Sequence, residues 1–157
     1  MIRPATPDDT QAIVDLTVDA ELFTTEEAVI VTQMLADHFG PKAGDGQVCV
    51  VDDVENRLVA LAYYEPHVAT DRTWELVMIG VHREQHRRGR GAALLHHVED
   101  DLRSREQRLL LVETSALPAF DRARAFYRAR GYDEEARVRD YFQDGDDMVL
   151  FRKKLHP

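Results

Sequence analysis

The spacing of apolar residues along the chain changes between that of a helix and that of a strand. The order of these spacings predicts a mixture of helices and strands. Met1 to Thr6 is typical of a short strand, and Asp8 to Ala20 then places its apolar residues on one helical face. A second helix is predicted after Thr24 or Thr25, because threonine is a favourable N-cap and acidic residues follow it. This helix should end near Phe39-Gly40-Pro41.

Three apolar runs in the middle of the chain predict strands. A turn at Gly44-Asp45-Gly46 precedes Val48 to Asp52 and Leu58 to Tyr64, which form a predicted hairpin. The run from Thr73 to Val81 holds few charges, so we expect a central strand that is buried on both faces.

From Gly91 onwards the period becomes helical again. The expected buried stripe comprises Leu94, Leu95, Val98 and Leu102, and the residues expected to face water are Glu99, Asp100 and Arg103. Leu109 to Val112 is predicted to be another buried strand. A fourth helix is predicted from Phe120, Ala123, Phe126 and Tyr127, and it stops at Gly131 in the usual C′ position.

The chain closes with a predicted hairpin, whose strands Tyr132 to Gln143 and Asp147 to Leu155 are joined at Asp144-Gly145. The complete order is β-α-α-β-β-β-α-β-α-β-β, without a repeat or a linker. We therefore predict a single α+β domain over residues 1–157, with one mixed sheet covered by helices.

Composition and charge narrow the functional classes. The 157 residues are 44% hydrophobic and 31% charged, as in ordinary soluble proteins, and residues 1–20 lack the apolar stretch of a signal peptide or membrane span. We expect a cytoplasmic protein without a membrane partner. The formal net charge of -9 argues against nucleic acid as the main partner. The single cysteine, Cys49, lies in an apolar run, which favours a buried and inert thiol.

A candidate anion site lies where the strand ending at Val81 leads through Gly89 and Gly91 into a helix. Backbone N-H groups at a helix start have no intrahelical partner, and glycine lets an anion approach them. A dinucleotide-binding fingerprint would need glycine at Leu94, and the Gly-Lys-Ser/Thr of a P-loop is absent. A plain tight turn is the alternative. The nearby cations, which either meet a phosphate or form a solvated charge run, are Arg83, Arg87, Arg88 and Arg90.

Two segments, His86-Arg87-Arg88-Gly89-Arg90-Gly91 and Ala123-Arg124-Ala125-Phe126-Tyr127 followed by Gly131-Tyr132, resemble motifs of the GCN5-related N-acetyltransferase (GNAT) superfamily. The first is similar to Arg/Gln-x-x-Gly-x-Gly/Ala, with histidine in the first position. The second is similar to Ala-x-x-Phe-Tyr-x-x-x-Gly-Phe/Tyr. The segment from Arg139 to Leu150 also resembles the C-terminal hairpin of an uncharacterised branch of this superfamily.

The resemblance implies a splayed, mixed sheet of about seven strands with about four helices, acetyl-CoA as cosubstrate and no metal. In the family, backbone of the fourth strand bonds to the pantetheine arm and the glycine loop holds the diphosphate of coenzyme A. The cofactor-binding residues implied here are Ile79, Val81, His86, Arg87, Arg88, Gly89, Arg90, Gly91, Ala92 and Phe126. Tyr127 matches the family's usual acid, and a core aromatic on an amphipathic helix is the alternative.

A second catalytic group must take the proton of the acceptor amine, because an alkyl ammonium has a pKa of about 10.4. Glu75 is the candidate base, directly or through water, since the resemblance places its strand beside the gap that admits the pantetheine arm. An exposed strand-end glutamate is the alternative, and Glu113 on the next strand is a rival.

Other polar and aromatic residues allow two interpretations each. His82, His86, His96 and His97 are expected to be surface histidines rather than metal ligands, since adjacent side chains on a helix point in different directions. Tyr63, Tyr64 and Trp74 either line an acceptor pocket or pack within the sheet.

These observations favour an N-acetyltransferase that transfers acetyl from acetyl-CoA to a primary amine of a small molecule, amino acid or peptide by direct attack. A non-catalytic CoA-binding or regulatory module is the first alternative. Nucleic-acid binding through the arginines is the second, disfavoured by the acidic total. Acidic residues that either indicate a cationic acceptor or are simply solvated are Glu21, Glu26, Glu27, Asp144 and Asp146. Many relatives pair as homodimers, which the sequence leaves open.

Overall fold

The computed structural model describes residues 1–41 and 46–157. The strands are β1 (Ile2–Pro4), β2 (Val48–Val54), β3 (Arg57–Pro66), β4 (Thr73–Val81), β5 (Leu109–Ser115), β6 (Asp133–Gln143) and β7 (Asp146–Lys154). The helices are α1 (Thr10–Asp19), α2 (Ala28–Phe39), α3 (Arg90–Ser104) and α4 (Asp121–Ala129). The strands form one mixed sheet in the order β1-β2-β3-β4-β5-β7-β6. The predicted α+β class and element order are therefore confirmed.

Most predicted boundaries agree with the structure to within a few residues. β4 has the predicted bounds, and α3 begins at Arg90 rather than Gly91. β5 continues to Ser115, beyond the predicted end at Val112, because Glu113 and Thr114 keep the extended backbone despite their polarity. The predicted turn at Gly44-Asp45-Gly46 lies mostly outside the described residues.

Contacts between residues divide the chain into two compact units, which are described separately. The first unit comprises 1–65 and 78–101, and the second comprises 66–77 and 102–157. The assignment of residues 1–157 to a single domain stays a prediction.

The first unit contains an apolar core shared by helices and strands. β1 pairs antiparallel with β2, and β2 pairs antiparallel with β3. Helices α1 and α2 and strands β2, β3 and β4 contribute the core residues. These are Ile13, Leu16, Val31, Leu35, Cys49, Val51, Leu61, Tyr63 and Met78. Each fully buried aliphatic side chain stabilises the fold by about 1.5–3 kcal/mol. Burial raises the pKa of the Cys49 thiol to about 12, so this cysteine is inert as predicted.

The predicted N-cap at Thr24 forms one turn before α2. The Glu27 N-H donates to Thr24 Oγ1 at 3.2 Å, and the Thr24 N-H donates to Glu27 Oε2 at 2.9 Å. This reciprocal pair has the form of a capping box. It fixes a turn that leads into α2 at Ala28.

Gly80 lets the segment after α1 lie directly against β4. A Cβ at residue 80 would be 2.6 Å from Leu22 Cδ1 and 3.2 Å from Ala20 Cβ. These separations are shorter than normal van der Waals contacts, so a larger residue would require the Leu22 side chain and Ala20 to shift. Gly80 thereby sets the course of β4 just before it enters the glycine loop.

Glu99 is buried, which corrects the prediction that it faces water. It is 4% exposed, although Asp100 next to it is exposed. Glu99 lies four residues after Leu95 and three before Leu102, so it belongs to the same helical stripe as these buried leucines. The prediction followed the charge of the side chain instead of its position on the helix.

The second unit is built on β5, β6 and β7 with α4. β7 pairs antiparallel with both β5 and β6, and β4 residues 73–75 pair parallel with residues 109–111. α4 ends as predicted, because Gly131 has a φ of 83° and its N-H donates to the Arg128 carbonyl at 3.2 Å. The Tyr132 N-H also donates to the Tyr127 carbonyl at 3.1 Å, which completes a Schellman motif.

β4 and β5 alternate between buried and accessible residues, which corrects the prediction that β4 is buried on both faces and that β5 is a buried strand. Glu75 is half-buried and Val77 is 44% exposed, whereas Leu76 is buried. Glu75 pairs with Leu111, so the two lie on one face, which Glu113 shares two residues further along β5. An apolar run alone does not tell a strand covered on both faces from one with an accessible face.

Candidate functional site

The glycine loop follows β4 through a series of tightly held turns. A 3-10 turn over Arg83–Gln85 begins with His82, whose Nδ1 accepts from the Glu84 N-H at 3.2 Å. Arg87 and Gly89 then adopt left-handed backbone conformations, with φ of 62° and 75°. A non-glycine residue rarely adopts such a φ, which this chain also uses in turns such as Glu55-Asn56.

The loop delivers backbone donors to one place. The Ala93 N-H donates to the Gly89 carbonyl at 3.0 Å, so the N-H groups of Arg90, Gly91 and Ala92 precede the first bond of α3. A Cβ at Gly89 would meet no atom within 4 Å, so the space beside it is open. These features fit a diphosphate, which requires several N-H donors and close access to the backbone.

The four arginines of this region have different roles in the structure. Arg90 Nη1 bonds to Asp52 Oδ2 at 2.8 Å and its Nε donates to Gln85, while Arg83 lies 3.8 Å from a Glu21 carboxylate oxygen. Within residues 1–41 and 46–157, neither Arg87 nor Arg88 forms an ion pair, and both are exposed. The side chains of Arg87 and Arg88 are therefore not engaged by a carboxylate of the described residues.

His86 contacts the end of β4 through its side chain. Its Nε2 lies 2.8 Å from the Val81 carbonyl oxygen. Because a carbonyl oxygen can only accept, Nε2 must carry the proton of this hydrogen bond. Ile79, two residues earlier, is half-buried on the same side of β4 as Val81. The first unit thus brings together all the predicted cofactor-binding residues except Phe126.

Tyr127 and Phe126 lie on α4 in the second unit. Tyr127 is 5% exposed, and its ring contacts those of Phe126, Tyr132 and Phe151 at centroid distances of 5.2, 5.5 and 5.6 Å. Burial raises the pKa of the Tyr127 hydroxyl, so this hydroxyl stays protonated at neutral pH. Both the core-packing role and the requirement for a protonated acid are therefore met by the same residue.

Glu75 and Glu113 lie near a third polar group that the sequence interpretation missed. Hydrogen bonding to Glu113, with the negative charges of Glu113 and Glu75, raises the pKa of the Tyr141 hydroxyl. Tyr141 lies in a bulge of β6. Val138 pairs with Met148 and Gln143 pairs with Asp146, so β6 has more residues between these two pairs than β7 has. Pairing register cannot be derived from the sequence of one strand, so the bulge and the position of Tyr141 gave no signal.

The remaining aromatic candidates pack within the fold. Tyr64 is fully buried and its hydroxyl donates to Asp101 at 2.8 Å, while Tyr63 is 4% exposed and makes an edge contact with His38. Trp74 Nε1 donates to Gln107 at 2.8 Å. Of the two interpretations of these aromatics, the structure favours sheet packing.

The predicted surface histidines divide into two groups. His96 is exposed and pairs with Asp100 at 3.0 Å, whereas the His82 side chain is only 14% exposed and lies 3.5 Å from Asp19 Oδ2. His82 is therefore only partly at the surface, because backbone and carboxylate groups lie around its ring. Within the part of the chain that the structure describes, no group of three or more His, Cys, Asp or Glu is arranged to hold a metal ion.

A polar cavity in the first unit was not predicted. It has a volume of about 520 Å³ and is lined by Arg3, Asp8, Asp9, Ala12, Asp15, Leu16, Asp19, Asp53, Asn56, Arg57, Leu58 and His82. Three of the lining residues form ion pairs, Arg3 with Asp9 at 2.8 Å and with Asp53 at 2.9 Å. No helix among the described residues combines the length and apolarity needed to span a membrane.

Comparison with known proteins agrees with the loop geometry and the fold. The model of the Acetyltransferase (GNAT) family matches residues 13–132, and the chain therefore belongs to the GNAT family. A comparison with curated proteins returned no match.

Solved structures show how far the similarity extends. A GNAT-family protein from Desulfovibrio desulfuricans is 29% identical to this chain. The alignment covers 99% of this chain and 99% of that chain, with a TM-score of 0.93. The ribosomal-protein-S18-alanine N-acetyltransferase from Escherichia coli is 21% identical, with 100% of this chain and 94% of that chain covered and a TM-score of 0.80. An aminoglycoside 6'-N-acetyltransferase complexed with coenzyme A is 16% identical, with 100% and 98% covered and a TM-score of 0.77.

Proposed function

We propose that the protein is an acetyl-CoA-dependent N-acetyltransferase that acts on a primary amine of a small molecule, amino acid or peptide. The observation that carries the proposal is the loop after β4, where first-turn amides, the open space at Gly89 and the exposed cations Arg87 and Arg88 follow one another, and neither cation pairs with a carboxylate of the described residues. Membership of an acetyltransferase family and the CoA complex of a structural neighbour support the same donor.

The loop residues would bind the diphosphate of the acyl donor. The N-H groups of Arg90, Gly91 and Ala92 would donate to its oxygens, and Arg87 and Arg88 would neutralise its charge. Backbone at Ile79 and Val81 would bond the pantetheine arm. When bound, acetyl-CoA supplies a thioester that a neutral amine can attack, and a β4 backbone N-H would stabilise the developing oxyanion.

Two proton steps fall to residues of the second unit. Glu75 would take the proton of the acceptor ammonium directly or through water, with Glu113 as the rival on the same face. Tyr127 would donate its proton to the departing thiolate. The raised pKa of its buried hydroxyl keeps the hydroxyl protonated at neutral pH, as an acid must be before transfer, and argues against a role as a base.

The acceptor would be a small or flexible amine in a cytoplasmic setting, without a metal, nucleic acid or membrane partner. Exposed Tyr141 and Phe142, whose rings meet edge to face at 5.0 Å near Glu113, offer an apolar contact beside a negative charge. This combination favours an alkyl or aryl ammonium over a neutral acceptor. Whether a homodimer forms is checked by sedimentation of the purified chain.

The decisive experiment measures acetyl-CoA consumption with a panel of alkylamines, amino acids, peptides and aminoglycosides. We expect one class to give turnover well above the rate without an amine, together with stabilisation of the protein by CoA in thermal melting. Stabilisation by CoA without transfer to any amine would replace the proposal with a non-catalytic CoA-binding module. No stabilisation and no transfer would overturn the assignment of the donor.

A further inference from the structure

The connection between the loop and β4 depends on a side chain whose role the family motif does not define. His86 Nε2 donates to the carbonyl oxygen of Val81 at 2.8 Å, and Val81 is the last residue of β4. The bond joins two residues that are five positions apart. This hydrogen bond therefore closes the turn over residues 81–86, between the strand and the glycine loop.

The closed turn over residues 81–86 fixes the backbone immediately before the proposed phosphate contacts. The His86 N-H donates to the Arg83 carbonyl at 3.3 Å, so His86 is held through both its backbone and its side chain. Arg87 follows directly in the left-handed conformation, with a φ of 62°. A non-glycine residue pays a free-energy cost in this conformation, which contacts of the surrounding structure must offset.

We propose that His86 is a positioning residue for the diphosphate of the acyl donor, acting through its hydrogen bond to Val81. The imidazole itself contacts no phosphate in this proposal. It holds the turn that leads directly into Arg87, Arg88, the open space at Gly89 and the first-turn amides of α3. The inference rests on the proposed function, because it assumes that this loop binds a diphosphate.

The hydrogen bond also specifies which variants preserve the role. Glutamine can donate from its terminal nitrogen to the Val81 carbonyl, whereas alanine cannot. His86→Gln should therefore retain the loop geometry and His86→Ala should lose it. His96→Ala is the matched control, because His96 is exposed on α3 and pairs only with Asp100 among the described residues.

The first test titrates the purified protein and its variants with CoA and, separately, with pantetheine, which lacks the diphosphate. We expect His86→Ala to raise the Kd for CoA about two- to fivefold, the effect of a net hydrogen bond in the lower part of the usual range because this bond is exposed, while the Kd for pantetheine stays unchanged. His86→Gln and His96→Ala should bind CoA like the parent protein. An unchanged Kd in His86→Ala, or equal weakening for both ligands, would overturn the proposal.

The second test needs neither activity nor a variant. Nitrogen chemical shifts of the His86 ring in the ligand-free protein report which nitrogen carries the proton. We expect a protonated Nε2, and an unprotonated Nε2 would refute the bond even if His86→Ala proved unable to fold. If the parent protein binds no CoA, the proposed function fails, whereas an unprotonated Nε2 would separately refute the bond between His86 and Val81.

Discussion

Arg90 at the start of α3 bonds to the carboxylate of Asp52 in β2, with 2.8 Å between Nη1 and Oδ2. Asp52 is 6% exposed, and its other oxygen accepts from the Met1 amino group at 3.1 Å. Removing Arg90 would leave a nearly buried carboxylate with one of its cationic partners missing. This pair makes Arg90 a residue that anchors the helix bearing the candidate phosphate site.

We expect Arg90→Ala to lower the free energy of unfolding by about 2 kcal/mol, because a buried carboxylate loses a charged partner. Arg88→Ala should change stability by less than about 0.5 kcal/mol, since Arg88 is exposed and unpaired. Urea unfolding measures both. Equal stabilities of the two variants would show that the Arg90 pair contributes nothing to the fold.

The sequence predicted the fold better than it predicted the roles of individual side chains. Element order, the C′ glycine at 131 and the loop followed from local period and from backbone geometry, which act over a few residues. The Arg90 pair with Asp52, the burial of Glu99 and the approach of Tyr141 to Glu113 depend on strand register and helix rotation. These are set by packing across the chain, so a single sequence does not reveal them.

Tyr127→Phe tests the acid that protonates the thiolate. The substitution keeps the buried ring and its three aromatic neighbours, so stability should change little. We expect kcat to fall by roughly 10²-fold, the lower range for loss of a general acid, with the Kd for CoA nearly unchanged. Steady-state kinetics and CoA titration check this, and Tyr132→Phe is the control from the adjoining ring. Unchanged turnover in Tyr127→Phe would remove the acid role.

Glu75→Gln tests the base. A general base must be unprotonated, so kcat/KM of the parent protein should fall as the pH drops through the pKa of that group. Glu75→Gln should lose this acidic limb and most of its activity, whereas Glu113→Gln should keep the limb. The reverse pattern would assign the base to Glu113, and an intact limb in both would exclude both carboxylates.

The titration of Tyr141 tests the arrangement of the same group without any substrate. Glu113 makes the largest contribution to the raised pKa of Tyr141, and Glu75 contributes through its charge. Replacing a carboxylate by a neutral amide removes the penalty for forming the tyrosinate. We expect the pKa of Tyr141 to fall in Glu113→Gln and to fall less in Glu75→Gln, as followed by carbon NMR of labelled tyrosine. No change in Glu113→Gln would contradict the contact.

Acid stability tests the ion pairs at the start of the chain. Hydrogen bonding to Arg3, followed by the N-H of Thr6, lowers the pKa of Asp9 from 3.8 to about 2 in the folded protein. A depressed folded pKa stabilises the fold above the unfolded pKa, and this stability is lost as the pH falls from about 4 to about 2. The Asp9 side chain is 13% exposed, so the contribution is on the order of 2 kcal/mol. The free energy of unfolding, measured with urea at a series of pH values, should depend less steeply on pH in Asp9→Asn than in the parent protein. Asp8→Asn, which changes an exposed neighbour, should keep the pH dependence of the parent. An identical pH dependence of the parent and Asp9→Asn would show that the Arg3 contact does not hold Asp9 ionised.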